Sequence, residues 1–514
     1  AYSTQLTTGA GNSIYMLETV RYVEDEQIKS RLVAASGGKL WMQSDYGEMV
    51  AITSSVNFSR FNSIMAAEFQ GKLYIANSGR STSGDWVSPA VSGQVEFCVG
   101  QGDYGAKICW FGGQGDRDAS DEVIERTALD SAPIVLDPVA KTATAVVATA
   151  GTIPNDCSII TVYHGRLVLA GSASSPQQWF MSKLLDPTGW DYAAESTDGD
   201  AVAVSGTQSK AGYIGDPITA LAPFTDQCMV MSCRTSLWSL RGDPVTGTMD
   251  CISREIGILD KHAWCTTNSG DMVFLSHDGV YMMPARCGGS IPISLSREVM
   301  PKELLDVDPT IFTITLRYDT RARGVHIFLS SNDPANIESQ HWFLDMEPRS
   351  ETRAFYRVTL NSDFDPLSAC HRRDITTDQS PVMLGCRDGY IRRFDTDAED
   401  DDGEVFSSYY YAGPIAPPGD NEQLKITAIS GKLDADSGPV KWEIYVSHSA
   451  AEAYVATAAK SGRIATSGRL IWTPVNLSGG AFFIKVSART PGEAWAIEEL
   501  LLGVQQSQCG ACAR

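Results

Sequence analysis

The residues that could do chemistry in this chain are few, and their spacing argues against most of the reactions their types allow. The densest group is acidic: Asp397, Glu399, Asp400, Asp401, Asp402 and Glu404 lie within eight positions. Carboxylates packed so closely could offer oxygens to calcium, but an EF-hand loop wants glycine at its sixth position. Counting from Asp395, that position is Asp400, so the run reads as a solvated acidic loop. The seven histidines never stand two or four residues apart, so no local metal pair is encoded. Cys509 and Cys512 have zinc spacing, but no second pair stands beside them. His277, in a Ser-His-Asp-Gly turn, and His164, before Gly165, read as turn or strand-start residues and not as bases. Three consecutive aromatics, Tyr409, Tyr410 and Tyr411, lack interleaved Lys or Arg, so they suit a protein interface better than a base-stacking surface.

Enzyme signatures are missing from the sequence. It holds no phosphate-binding P-loop, no H-E-x-x-H zinc helix and no G-x-S-x-G nucleophile elbow. Propeller glycosidases use paired carboxylates, and 62 acidic residues leave such a pair open, but the S-x-D-x-G-x-x-W boxes of sialidase-like blades do not occur. No catalytic, cofactor-binding or metal-ligating residue is assigned, and no cofactor is expected.

The elements that would position any site are short strands closed by Gly, Asp, Asn or Ser. An apolar strand, a tight polar turn and a second strand with an aromatic recur at 273–283 and 382–394. In both, an Asp-Gly pair (278–279 and 388–389) is read as supplying the positive φ of a two-residue hairpin. Related openings fall at residues 38, 71, 165, 227, 270, 324 and 381. Propeller blades repeat at about 40–50 residues, so the expected fold is all-β: a divergent β-propeller over 1–395, followed by a C-terminal β-sandwich. The gap of 94 residues between 71 and 165 holds either two blades or an insertion, placed around 98–150. Residues 396–421, acidic and then proline-containing, read as a linker or loop, 422–505 as the sandwich and 506–514 as a tail. Helical periodicity is confined to Asp121–Leu129 and Ser296–Asp306.

Composition narrows the partners. The chain has 514 residues, 41 basic against 62 acidic, and a net charge of −21. Nucleic-acid binders grip phosphate with Lys and Arg, so a duplex reader or anionic-membrane binder is not expected. No apolar run is long enough to span a membrane. No secretory signal is read at Ala1 to Glu18. The twelve scattered cysteines read as free buried thiols of a protein assembled in a reducing cytoplasm.

Four passages carry a family resemblance. They are residues 163–192, with Asp186-Pro187 and Trp190; 224–244, closing on Gly242-Asp243-Pro244; 252–283 followed by 293–299, with Gly257, Gly270 and the Asp278-Gly279 hairpin in order; and, more weakly, 495–504. Together they resemble the tail nozzle or hub proteins of short-tailed bacteriophages, including the packaged-DNA stabilisation proteins. The resemblance covers about a third of the chain. It implies a structural virion protein whose copies form a ring, a hexamer, at the distal end of the tail channel, retaining and then conducting the genome. Implied partners are the portal and head–tail adaptor proteins, tail fibre, spike or plug proteins, and DNA as passing cargo without specific binding. The implied location is the virion tail, assembled in the host cytoplasm. The alternatives are a receptor-binding tail module that recognises host surface glycans and, more distantly, a propeller glycoside hydrolase or depolymerase.

Overall fold

In the computed structural model, the residues described are 6–7, 12–54, 64–76, 95–100, 107–112, 133–172, 174–193, 201–206, 214–285, 291–296, 302–347, 354–360, 364–372, 380–394, 402, 408–417, 422–464, 470–489 and 495–508. The chain divides into two compact units, residues 3–394 and residues 395–514 together with 1–2.

The larger unit is a seven-bladed β-propeller. Its inner strands are, in blade order, Ile14–Glu24, Met65–Phe69, Cys157–Tyr163, Ile218–Thr225, Trp264–Thr266, Phe312–Asp319 and Pro366–His371. Each is followed outward by antiparallel partners in its own sheet, and Thr53–Ser54 adds to the outer edge of blade 2 parallel to Thr142–Ala145. Blade 7 has three strands from its own end of the chain, and Leu6–Thr7 completes it by pairing antiparallel with Tyr390 and Ile391. The ring is further closed by packing: Ile14, Leu17, Leu32 and Ala34 of blade 1 share a core with Cys370, Met383 and Ile391 of blade 7. Shared cores likewise join blades 1 and 2, blades 2 to 4, and blades 4 to 6.

Face-to-face packing of blades explains why the second strands carry such unbroken apolar runs. Cys228–Cys233, Met272–Ser276, Gly324–Ser331 and Val382–Cys386 are buried at every position, because a neighbouring blade covers each face of the sheet. Six of the openings read from sequence, at 71, 165, 227, 270, 324 and 381, stand at or just before the second strands of their blades. The seventh, at 38, precedes the third strand of blade 1, Lys39–Gln43. The long gap is an insertion within one blade. It separates Lys72–Ala76 from Ile134–Asp137, which pair directly, and contains a hairpin of Val95–Gly100 with Lys107–Gly112. Residues 134–145 therefore belong to blade 2, not to an insertion at 98–150.

Turn chemistry differs from the expectation at the two Asp-Gly sites. Register places Ser276 opposite Gly279, and only the glycines, Gly279 (φ +134°) and Gly389 (φ +87°), take positive φ. Asp278 and Asp388 are not at positive φ, so these are not turns with two left-handed residues. The hairpins that do put both turn residues at positive φ are Asp25-Glu26, Gly37-Gly38, Gln70-Gly71 and His164-Gly165. Of the helical expectations, Ser296–Asp306 yields one 3-10 turn, Lys302–Leu304, and Asp121–Leu129 lies outside the described residues.

The smaller unit is a β-sandwich. One sheet orders Tyr409–Ile415, Ala481–Ala488, Val440–Ser447 and Lys460–Ile464, and the other Thr473–Gly479, Glu422–Leu433 and Ile497–Gln508. Ile426, Ile429, Trp442, Val475, Phe482 and Ile484 form its core between the sheets. Two boundaries shift. Tyr409–Ile415, read as linker, is an edge strand of the sandwich, and the last strand reaches Gln508, into the expected tail.

Candidate functional site

Of the acidic run, Asp397, Glu399, Asp400, Asp401 and Glu404 lie outside the described residues, as do Cys509 and Cys512. Asp402 is described, half-buried and at φ +56°. Among the described residues no three His, Cys, Asp or Glu side chains converge as metal ligands.

The tyrosine run is split by strand alternation. Tyr409 and Tyr411 point to one face of the sheet, while Tyr410 pairs across to the core residue Val486 and points to the other. On the first face, neighbouring strands and the short helix Ala450–Val455 assemble a larger group than the sequence suggested. Tyr411 meets Tyr409, Tyr445 and Tyr454 at centroid distances of 5.6, 5.9 and 5.7 Å, and Tyr454 meets Phe483 at 5.5 Å. The Lys485 ammonium stands 4.4 Å from the Tyr409 ring centroid and 5.6 Å from that of Tyr411. Tyr409 and Tyr454 are 50% and 59% exposed, so two large rings beside a cation face solvent. Register would have revealed Lys485, which sits opposite Tyr411. Tyr454, on a helix, carries no period-two signal that links it to the strand.

Polar contacts join described inner strands of the propeller. The Glu18 carboxylate lies 3.8 Å from the Arg317 guanidinium, whose Nε donates to the Ala369 carbonyl at 2.8 Å. Lys261 is 9% exposed and its Nζ donates to the Ser158 carbonyl at 3.3 Å. The first two contacts tie blade 6 to blades 1 and 7, and the last ties blade 3 to the segment entering blade 5. The cavity left among Leu17, Glu18, Ile64, His262, Arg317 and Ser368 is about 10 Å³, room for at most one water and far too small for a sugar. His262 is held neutral: burial first, then the charges of Lys261 and Arg317, push it well below the usual imidazole range.

One constellation has the residue types of a hydrolytic triad but not its connectivity. The Ser339 hydroxyl donates to Asp365 and accepts the Ser331 N–H at 2.9 Å, so its proton points away from the imidazole. His341 Nε2 instead contacts Asp365 at 3.0 Å. A serine nucleophile needs the base to take its proton, and here the carboxylate holds it. Five buried thiols are poor nucleophiles: burial pushes Cys157, Cys265, Cys370 and Cys386 up to about 12 and Cys233 to about 11. Those five and Cys251 are free, but Cys228 is disulfide-bonded, which departs from the expectation of free thiols throughout.

The motif residues behind the family resemblance hold blades together. Trp190 is fully buried and donates to the Pro187 carbonyl at 2.9 Å. Buried Arg166 donates to the carbonyls of Ser182 (2.8 Å) and Val202 (2.5 Å), bridging strands of blade 3. Gly257 lies against the backbone of Cys233 and Arg234, where a side chain would collide.

No family model and no curated protein matches the chain. The solved structures it is similar to are remote. An extracellular domain assigned to a hybrid two-component system of B. thetaiotaomicron is 10% identical with a TM-score of 0.41, covering 96% of this chain. This chain spans 58% of that domain's length. Chaetomium thermophilum Sqt1 is 7% identical, with a TM-score of 0.37 and coverage of 77% of this chain and 98% of that one. A Xanthomonas campestris gluconolactonase is 11% identical, with a TM-score of 0.30 and coverage of 64% and 95%. Likenesses this remote bring no activity to the chain.

Proposed function

We propose that the protein is a structural component of a bacteriophage tail, a nozzle or hub subunit whose copies form a ring around the path of the genome. The observation that favours a scaffold over an enzyme is the cavity between the inner strands beside Glu18, His262 and Arg317, which at about 10 Å³ is too small for a sugar. The tail assignment rests on the resembling passages, which coincide with blades 3, 4 and 5 and the last sandwich strand. On this reading DNA passes between copies, never through a propeller, and the aromatic face with Tyr409, Tyr454 and Lys485 is a contact face for a neighbouring protein, aromatics being the residues that anchor interfaces.

The purified chain is mixed with portal–adaptor complexes and imaged by electron microscopy. A ring added below the adaptor is the expected result. A chain that stays monomeric in that mixture and is missing from virion tails overturns the reading. In the Tyr409→Ala/Tyr454→Ala double variant the rings should weaken at least tenfold in apparent affinity while the melting temperature of the sandwich holds.

A further inference from the structure

We propose that the last strand of the sandwich, Ile497–Gln508, pairs antiparallel with the same strand of a second copy, so that two sandwiches share one continuous sheet across a twofold axis. The strand is an open edge: it is 12 residues long and, among the described residues, pairs only with Glu422–Leu433. A row of unpaired N–H and C=O groups invites another strand, and proteins blunt such edges with proline, lysine, irregular backbone or short length. The other three edges of the sandwich carry these devices. Tyr409–Ile415 contains Pro414, Thr473–Gly479 contains Pro474 and Asn476 at φ +54°, and Lys460–Ile464 has 5 residues with Lys460 and Arg463 among them. Ile497–Gln508 has no proline, lysine or arginine, and its one extra residue, Glu498, leaves the run from Glu499 onward regular.

The apolar side of this strand is left half-covered. Leu500, Leu502 and Val504 stand opposite Gly431, Ile429 and Ile426, so they share the core side of the sheet. Ile426 and Ile429 are buried, yet Leu500 and Leu502 are only partly so and Val504 is 44% exposed. The facing sheet explains the difference. Its edge strand Lys460–Ile464 already reaches the middle strand, with Ile464 against Gly431, and no described strand lies beyond it in that sheet. A second copy's strand laid alongside supplies the missing apolar neighbours.

Charge and side-chain alternation fix the occupant and the register. Both charges of the strand, Glu498 and Glu499, stand near its start, and Leu500–Gln508 is uncharged. Antiparallel self-pairing therefore sets each carboxylate opposite a neutral residue, whereas parallel pairing would set carboxylate beside carboxylate. A twofold axis perpendicular to the sheet pairs residues that point to the same face. With Leu502 opposite its own copy, Leu500 meets Val504 and Glu499 meets Gln505. The Leu500, Leu502 and Val504 side chains of the two copies then run together as one apolar row. Such a contact uses the same patch twice and closes after two chains, so it is separate from the head-to-tail contact of a ring. It does not rest on the chain being a tail protein.

Sedimentation of the full chain at physiological salt should show a monomer–dimer equilibrium with a dissociation constant on the order of 10 μM. Val504→Asp sets a carboxylate in the apolar row but leaves it solvated in the single chain. It should weaken the dimer by about tenfold or more without lowering the melting temperature. Disulfide trapping reads the register. Glu499 and Gln505 are both exposed. They lie ~20 Å apart along one strand but face each other across the axis. The Glu499→Cys/Gln505→Cys double variant should oxidise to a covalent dimer, and neither single variant nor the native chain should. If Val504→Asp melts early, the trapping alone decides. A chain still monomeric at about 200 μM, a dimer that persists in folded Val504→Asp, or equal trapping in single and double variants would each overturn the proposal. So would loss of the dimer in Tyr409→Ala/Tyr454→Ala, because the association would then belong to the aromatic face.

Discussion

His262 shows how a single side chain couples the centre of the propeller to pH. Burial first, then Lys261 and Arg317, disfavour a proton on it, and the hydrogen bond to the Ile64 carbonyl offsets only part of this, so the folded pKa lies well below 6.5. The unfolded chain then takes up a proton first as the pH drops. Stability from this residue is fully present above pH 6.5 and is lost below it, at up to about 1.4 kcal/mol per pH unit until the folded pKa is reached. Thermal melts at pH 7.5, 6.5 and 5.5 should show a steeper acid loss for the native chain than for His262→Gln, whose amide can still donate to the Ile64 carbonyl. Equal slopes would remove His262 from the account. Residues of this kind are illegible in sequence. His262 and Arg317 are 55 positions apart, His341 and Asp365 are 24 apart, and only blade packing makes them neighbours. The tyrosine run was visible, yet its partition into Tyr409 and Tyr411 on one face and Tyr410 on the other required the edge strand.

Strands are the most legible elements, because blade packing buries both faces and leaves continuous apolar runs such as Met272–Ser276 for the eye to find. Blade 1 was caught at its third strand because its second, Gln27–Ser36, opens on polar Gln27, Lys29, Ser30 and Arg31 and only then becomes apolar. The insertion blurred blade 2 for another reason: strands paired in space are separated by more than fifty residues of chain. Gly257 tests how tightly neighbouring elements are set. A Cβ there would lie 2.0 Å from the Cys233 carbonyl oxygen and 2.7 Å from Arg234 backbone atoms, none of which can swing aside as a flexible side chain would. Gly257→Ala should therefore cost about 3 kcal/mol, read as a lower midpoint in urea unfolding. Gly215→Ala, where a Cβ meets nothing within 4 Å, is the control and should leave the midpoint nearly unmoved. Similar losses in the two variants would mean that the blade 4 to blade 5 passage tolerates displacement.

At the scale of the whole molecule the deficit of positive charge acts on two associations at once. A chain of net charge −21 and pI near 4.7 meets its own copies with like charge and meets duplex DNA with like charge. Both repulsions are screened over about 8 Å at physiological salt, so both weaken as salt rises. Copy–copy contact has apolar and aromatic surface to gain once screening is in place, whereas DNA, with a phosphate charge every ~1.7 Å along the duplex, has only electrostatics. Salt should therefore separate the two. Sedimentation should show oligomers growing between 20 and 200 mM salt (values on the order that spans strong to moderate screening), while a labelled short duplex stays free at every point of the series. A protein that grips DNA behaves oppositely, binding at the lowest salt and releasing as counterions return. Retention of the duplex at low salt would sink the view of DNA as cargo, and it would do so even if rings form, because a sticky wall and a sliding genome cannot share one channel.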